Sequence, residues 1–168
     1  MDEIAVETAD ADDAERVADL WVDLAADQRA YGSHLRAADN RAVARDAATR
    51  HGVSGGLTVA RADGDVVGFV MFAPETGSYE QDVERGVVHN IYVEPAYRGR
   101  GVGGRLLAAA EEALAAAGAN VVSLEVMADN DDARRFYERA GYEPHRVEVE
   151  KPLDGGENDT DSREDGQR

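Results

Sequence analysis

The sequence predicts a single-domain α/β (α+β) protein, and three observations carry that prediction. Stretches of period-2 alternation and stretches of helical spacing succeed one another along the chain. Two apolar runs flank the turn-rich joint Ala62, Asp63, Gly64, Asp65, which is the pattern of an antiparallel hairpin. The 168 residues, 43% of them hydrophobic, are enough for one core and call for no second domain.

The elements follow in order. Ile4 to Thr8 alternates as a first strand, and an Asp-rich turn caps a helix near Asp12 whose buried face reads Val17, Leu20, Trp21 and Leu24. A polar linker with Tyr31, Gly32 and Ser33 leads to a second helix around Asn40 to Arg50. The hairpin strands are Leu57 to Arg61 and Val66 to Phe72, and Pro74 to Arg85 is a loop. Val87 to Val93 is a β-branched strand that Pro95 helps to end. After a glycine turn, Leu106, Leu107, Ala110, Ala113, Leu114 and Ala117 mark a long helix that Gly118 stops. Val121 to Met127 is a strand with Ser123 and Glu125 on one face and Val122, Leu124 and Val126 on the other. Asn130 caps a last helix closed by Gly141, and Val147 and Val149 suggest a closing strand before Pro152. The domain is expected to span residues 1–153, with an acidic disordered tail over 154–168, where nothing apolar is available to bury.

Composition narrows the function classes. A net charge of −17 opposes general binding to nucleic acid or to an anionic membrane, so any polyanionic ligand must be small and locally held. With no cysteine there is no cysteine nucleophile, disulfide or thiolate metal site. His34, His51, His89 and His145 form no metal-ligand spacing, and no metal is expected. The start MDEIAVE has no basic n-region, and no stretch approaches the ~20 apolar residues of a membrane span, so the expectation is a cytoplasmic protein. Lys151 is the only lysine beside many arginines and acids, a composition that resembles proteins of salt-loving organisms.

The most informative segment is His89 to Leu107. Glycines at 99, 101, 103 and 104 let backbone N–H groups converge on a ligand at the positive end of the following helix. Pro95 to Ala110 contains Arg98, Arg100 and Arg105 and no acid, although a solvated helix start would favour Asp or Glu. Gly99, Gly101 and Gly104 satisfy GxGxxG literally, with Glu125 further on. The dinucleotide reading fails on context, because Glu94 to Arg98 separate the strand from the glycines and too little chain follows for the remaining crossovers. A Walker loop fails because no Lys followed by Ser or Thr closes the run.

Arg98, Gly101 and Gly103 satisfy the R/Q-x-x-G-x-G/A signature of the GCN5-related N-acetyltransferases (GNAT), preceded by Ile91, Tyr92 and Val93. LEVMADN at 124–130, then Phe136, Tyr137, Glu138 and the pair Gly141 and Tyr142, is similar to the second conserved region of that family. Together these cover about half the chain, Val87 to Tyr142. The resemblance implies a central mixed, mostly antiparallel sheet flanked by helices, and acetyl-CoA as co-substrate. It implies that Ile91, Tyr92 and Val93 pair with the pantetheine arm and that Gly99, Arg100, Gly101, Val102, Gly103 and Gly104 cradle the pyrophosphate, with Arg98 adding charge and Asn130 bonding cofactor or neighbouring backbone. Homodimers are common among the proteins this one resembles.

Attack of an amine on a thioester needs a base for the amine and an acid for the leaving thiolate. Tyr137 matches the family tyrosine that protonates the CoA sulfur, and Glu125 is the first base candidate. The spacing of the two is similar to the glutamate and tyrosine of ribosomal-protein alanine N-acetyltransferases. An ordinary Glu near ~4.3 is a weak base for an ammonium, so base, water relay and amine anchor all stay open for Glu125. His89 is a second base candidate whose face the sequence leaves open, and Glu94 reads as surface. Trp21, Tyr31 and His34 lie where the family often builds its acceptor site, Trp21 fitting the core better. The expected activity is transfer of an acetyl group to a primary amine, a peptide N-terminus or a small molecule, by direct attack in a ternary complex. The alternative is a non-catalytic acyl-CoA sensor of the same fold.

Overall fold

The structure, a computed structural model, describes residues 3–153. The expected tail over 154–168 lies outside the described residues. Five strands form one sheet in chain order: β1 (Ile4–Thr8), β2 (Leu57–Ala62), β3 (Asp65–Pro74), β4 (Arg85–Val93) and β5 (Val121–Leu124). All neighbours are antiparallel except β4 and β5, which run parallel. Helices α1 (Ala14–Arg29) and α2 (Arg41–Ser54) cover one face, and α3 (Val102–Ala116) and α4 (Asp131–Arg139) pack on the other.

The two-residue hairpin turn sets the pairs Ala62 with Asp65 and Arg61 with Val66, and the register of β2 and β3 then shifts by one residue between Ala60 and Arg61. Asp63 and Gly64 both take positive φ (53° and 87°), the backbone twist that joins antiparallel strands without splaying them. β3 then runs buried on both sides. Phe69 and Met71 point to α1 and α2 with Val17, Leu20, Val59 and Tyr92, while Val70 and Phe72 point to α3 with Val88, Val93, Leu106, Leu107 and Leu114. The central strand thus divides two cores, and each helix pair buries its apolar stripe in one of them. Among the described residues no helix is long and apolar enough to cross a membrane.

Three expectations are corrected. α2 continues past Arg50 to Ser54, where Gly55 at φ +86° stops it. β5 ends at Leu124 and not at Met127: its partner β4 is no longer beside it, so the alternation of Val126 finds no ladder and both Glu125 and Val126 are exposed. The closing strand around Val147 and Val149 does not form among the described residues. Both valines are 79% or more exposed, and with no buried face to reward alternation the segment stays irregular.

One charged cluster fastens β1, β2 and the start of α1. Arg61 donates to both carboxylate oxygens of Asp13, at 3.0 and 2.7 Å, and also reaches Glu7, while Asp13 accepts from the Asp10 amide at 2.7 Å. Burial pushes the Asp13 carboxyl up, but the Arg61 hydrogen bonds, the Asp10 amide and the Arg61 charge outweigh it and hold Asp13 below its ordinary value. A lowered folded value means that this contribution to stability is complete above the unfolded pKa of ~3.9 and is lost as pH falls through the folded one. Asp13→Asn is therefore expected to melt lower at neutral pH and to lose less stability than the parent between about pH 4 and pH 2, as read by thermal unfolding across that range.

Candidate functional site

The site begins where two strands part. β4 pairs with β3 along its length but with β5 only from Arg85 to Val88, the last pair being Val88 with Leu124. From His89 to Val93 the other edge of β4 has no strand partner among the described residues. The Glu94 amide donates to the Val67 carbonyl of β3 at 2.9 Å, so strict alternation turns the backbone groups of Ile91 and Val93 toward the open edge and those of Tyr92 toward β3. Arg98 Nε takes the Val93 carbonyl at 2.7 Å. Ile91 N–H and C=O and Val93 N–H are left facing the opening.

The glycine turn closes one end of that opening. Gly99 and Gly101 both hold φ +79°, a left-handed backbone that side chains resist, and Gly101 is the residue from which α3 starts. The N–H groups of Gly101, Val102, Gly103 and Gly104 donate to no group among the described residues, and the first amide to be paired is that of Arg105, with the Gly101 carbonyl at 3.1 Å. Four consecutive donors and the helix dipole thus face outward with no acidic residue in the first turn to neutralise them. The Phe136 ring packs α4 on the start of α3 beside Gly103, where a Cβ would stand 3.4 Å from it, an ordinary contact distance.

Both arginine side chains of the turn lie against tyrosine rings. The Arg98 guanidinium lies over the Tyr92 ring, 5.2 Å from its centroid, and 3.8 Å from Asp27, and the Arg100 guanidinium lies over Tyr97 at 5.2 Å. Tyr92 has its backbone turned to β3 and its ring in the core under α1. Arg105 ties α3 to β1 through the Ile4 carbonyl at 3.0 Å.

On the α3 side, Asn130 caps α4 as its side chain accepts from the Ala133 amide at 3.1 Å. That cap aims Phe136 and Tyr137 at the core rim shared with Ile91 and Leu124. Tyr137 stacks edge to face with Phe136 (5.1 Å) and Tyr142 (6.0 Å), and its hydroxyl makes no hydrogen bond among the described residues. Burial pushes its phenol up to about 12, so it is a neutral donor at any working pH. Tyr142 donates instead to Glu111 at 2.7 Å and fixes the far end of α4 to α3.

The opposite face carries the remaining candidates. Val88 and Leu124 point to α3, so the next residue on each strand path, His89 and Glu125, points to the α1 and α2 side. His89 occupies a bulge, since Met71 pairs with Asn90 while Phe72 pairs with Val88. Its ring meets that of His51 on α2, centroids 5.6 Å apart and planes at 71°. Crowding by the protein and the neighbouring His51 hold the His89 imidazole below its ordinary value, against the pull of Glu125. Sequence reasoning left the face of His89 open and missed His51, because a helix residue remote in sequence gives no sign that it will meet a strand histidine. Glu94 is not a free base: Arg16 holds it at 2.7 Å. Trp21 packs into the α1 core, and His34 meets Glu150 at 2.9 Å.

A parted parallel strand pair, a glycine turn into a long helix and a capped helix bearing a tyrosine define an acetyltransferase class of fold. The family model described as the Acetyltransferase (GNAT) family matches residues 21–142, and the chain belongs to that family of N-acetyltransferases. Among similar solved structures is a GCN5-related N-acetyltransferase from Ralstonia eutropha JMP134, 25% identical, with a TM-score of 0.69 over 92% of this chain and 100% of that one. The aminoglycoside N-acetyltransferase AAC(6')-Iy in complex with CoA is 17% identical with a TM-score of 0.66, over 91% of this chain and 97% of that one. An aminoglycoside acetyltransferase from an uncultured soil metagenomic sample is 19% identical with a TM-score of 0.64, over 90% and 99% of the two chains.

The cap makes the placement of Tyr137 testable. Asn130→Ala is expected to cost about 0.5–2 kcal/mol in denaturant unfolding, whereas Asn130→Asp, which keeps the acceptor, should cost little.

Proposed function

We propose that the protein transfers an acetyl group from acetyl-CoA to a primary amine by direct attack in a ternary complex. The observation that carries this is the row of unpartnered amides from Gly101 to Gly104 beside the open edge at Ile91 and Val93. Four N–H groups at a helix start suit a pyrophosphate. One residue's N–H and C=O together with a second N–H suit the amides of a pantetheine arm, which would lie on β4 as β5 does further back. The residues fit the co-substrate through backbone groups, and Arg98 and Arg100 serve the turn by bracing Tyr92, Tyr97 and the Val93 carbonyl.

In this reading Tyr137 is the acid. A phenol near 12 is too weak to protonate a free thiolate of ordinary acidity, ~8.5 to 9, in an isolated step. Its proton must pass to sulfur as the C–S bond breaks, while the nitrogen, acidified by attack on the carbonyl, returns a proton to the tyrosine. Glu125, exposed beside the opening on the α1 and α2 side, supplies the carboxylate that faces the incoming ammonium. The acceptor is an amine. A peptide N-terminus is favoured by the Glu125 and Tyr137 spacing, an aminoglycoside by the substrate named for similar folds, and a small polyamine would equally suit an acidic pocket.

Free thiol released from acetyl-CoA, measured against a panel of amines and peptides, is the direct test. Turnover with at least one amine is expected. Tyr137→Phe and Glu125→Gln should each lower kcat by about 10²-fold or more with little change in CoA affinity. Tight CoA binding with no turnover on any amine would favour the non-catalytic sensor.

A further inference from the structure

The geometry points to His89 as the group that takes the proton from the acceptor ammonium, with His51 as the residue that positions it and Glu125 as the counter-charge. The inference rests on the acetyltransfer reading above and assigns its base. Three placements carry it. His89 and Glu125 each stand one residue beyond the last parallel pair, Val88 with Leu124, so both reach the α1 and α2 side at the mouth of the parted strands. The β4 bulge adds a residue between Val88 and Ile91, which both point to α3, and so sets His89 on the face away from the α3 core. The His51 ring stands edge to face against His89 and is itself held, its Nδ1 bonded to the Ala47 carbonyl at 2.9 Å. That bond makes Nδ1 the protonated nitrogen of neutral His51.

The chemistry favours the imidazole over the carboxylate. An ordinary Glu at ~4.3 is far from an ammonium near ~8 to 10, while an imidazole is closer and is neutral at working pH. His51 on α2 and Glu125 after β5 are the two titratable groups whose charges act on His89: protonated His51 disfavours the imidazolium and Glu125 favours it. The protons balance. The ammonium gives its first proton to His89, which releases it to solvent. The free amine attacks the acetyl carbon and the C–S bond breaks. The second nitrogen proton replaces the one that Tyr137 passes to sulfur, giving amide, CoA thiol and one solvent proton.

The test is the pH profile of kcat/KM together with histidine ring titration by NMR on the full chain. The parent should show an acid limb with a midpoint below the ordinary ~6.5, matched by one ring resonance that disappears in His89→Gln. His89→Gln should lower kcat about 10²-fold or more and abolish the limb without changing CoA affinity. His51→Phe, which keeps an edge-to-face ring, should move limb and resonance up in pH, and Glu125→Gln should move both down. Opposite shifts of the kcat/KM limb are the signature, since a histidine that takes no proton from the amine would still feel its neighbours' charges in its own resonance but would leave the limb unmoved. An intact limb in His89→Gln, or a His89 resonance unmoved in both neighbours' variants, would overturn the assignment while leaving acetyl transfer standing. A parent that releases no thiol with any amine, yet shows the ring shifts, would instead refute the acetyltransfer reading.

Discussion

Everything at the site depends on the early end of the β4 and β5 ladder. Parallel strands gain hydrogen bonds as long as they run together, and leaving an edge open forfeits them. Here the ladder stops after Val88 and Leu124, and three consequences follow from that one break. Backbone groups of Ile91 and Val93 are left without a strand partner among the described residues. His89 and Glu125 reach the α1 and α2 face as neighbours at the mouth of the gap. Tyr137 packs at the same rim from the other side, beside Ile91 and Leu124. An uninterrupted β5 would pair the backbone groups of Ile91 and Val93 and close the opening.

The rest of the fold holds the two lips apart. Arg98 bridges the end of β4 to Tyr92 and Asp27, Arg16 clamps Glu94, and the Glu111 bond to Tyr142 anchors α4 to α3. Phe136 packs on the start of α3 beside Gly103 and adds to that anchor. These contacts join elements distant in the chain, so the gap is a property of both cores and not of a single loop.

What could be read from the sequence was what is local. The glycine turn was legible because glycine at left-handed φ and a helix without first-turn acids are written in adjacent letters, and the Asn130 cap was legible for the same reason. The hairpin turn at Asp63 and Gly64 belongs with them. What escaped is set by pairing at a distance. Ser123 to Val126 alternates as a strand should, and nothing in those residues says that β4 has already turned away. Val147 and Val149 alternate as well, with no buried face to make the pattern pay. Arg98 fits a phosphate signature, but Tyr92 and the Val93 carbonyl claim it. The pairing of His51 with His89 needs α2 laid across the bulge of β4, which only the fold supplies.

The central claim is that the open β4 edge and the unpartnered amides together form one acetyl-CoA site. Backbone amide NMR during titration with CoA, with pantetheine alone and with NAD(P)H tests it most directly. CoA is expected to move the amides of Ile91, Val93 and Gly101 to Gly104 together, pantetheine to move Ile91 and Val93 only, and NAD(P)H to displace neither. Shifts from CoA that miss the Gly101 to Gly104 amides, or saturating NAD(P)H binding at the same turn, would contradict it.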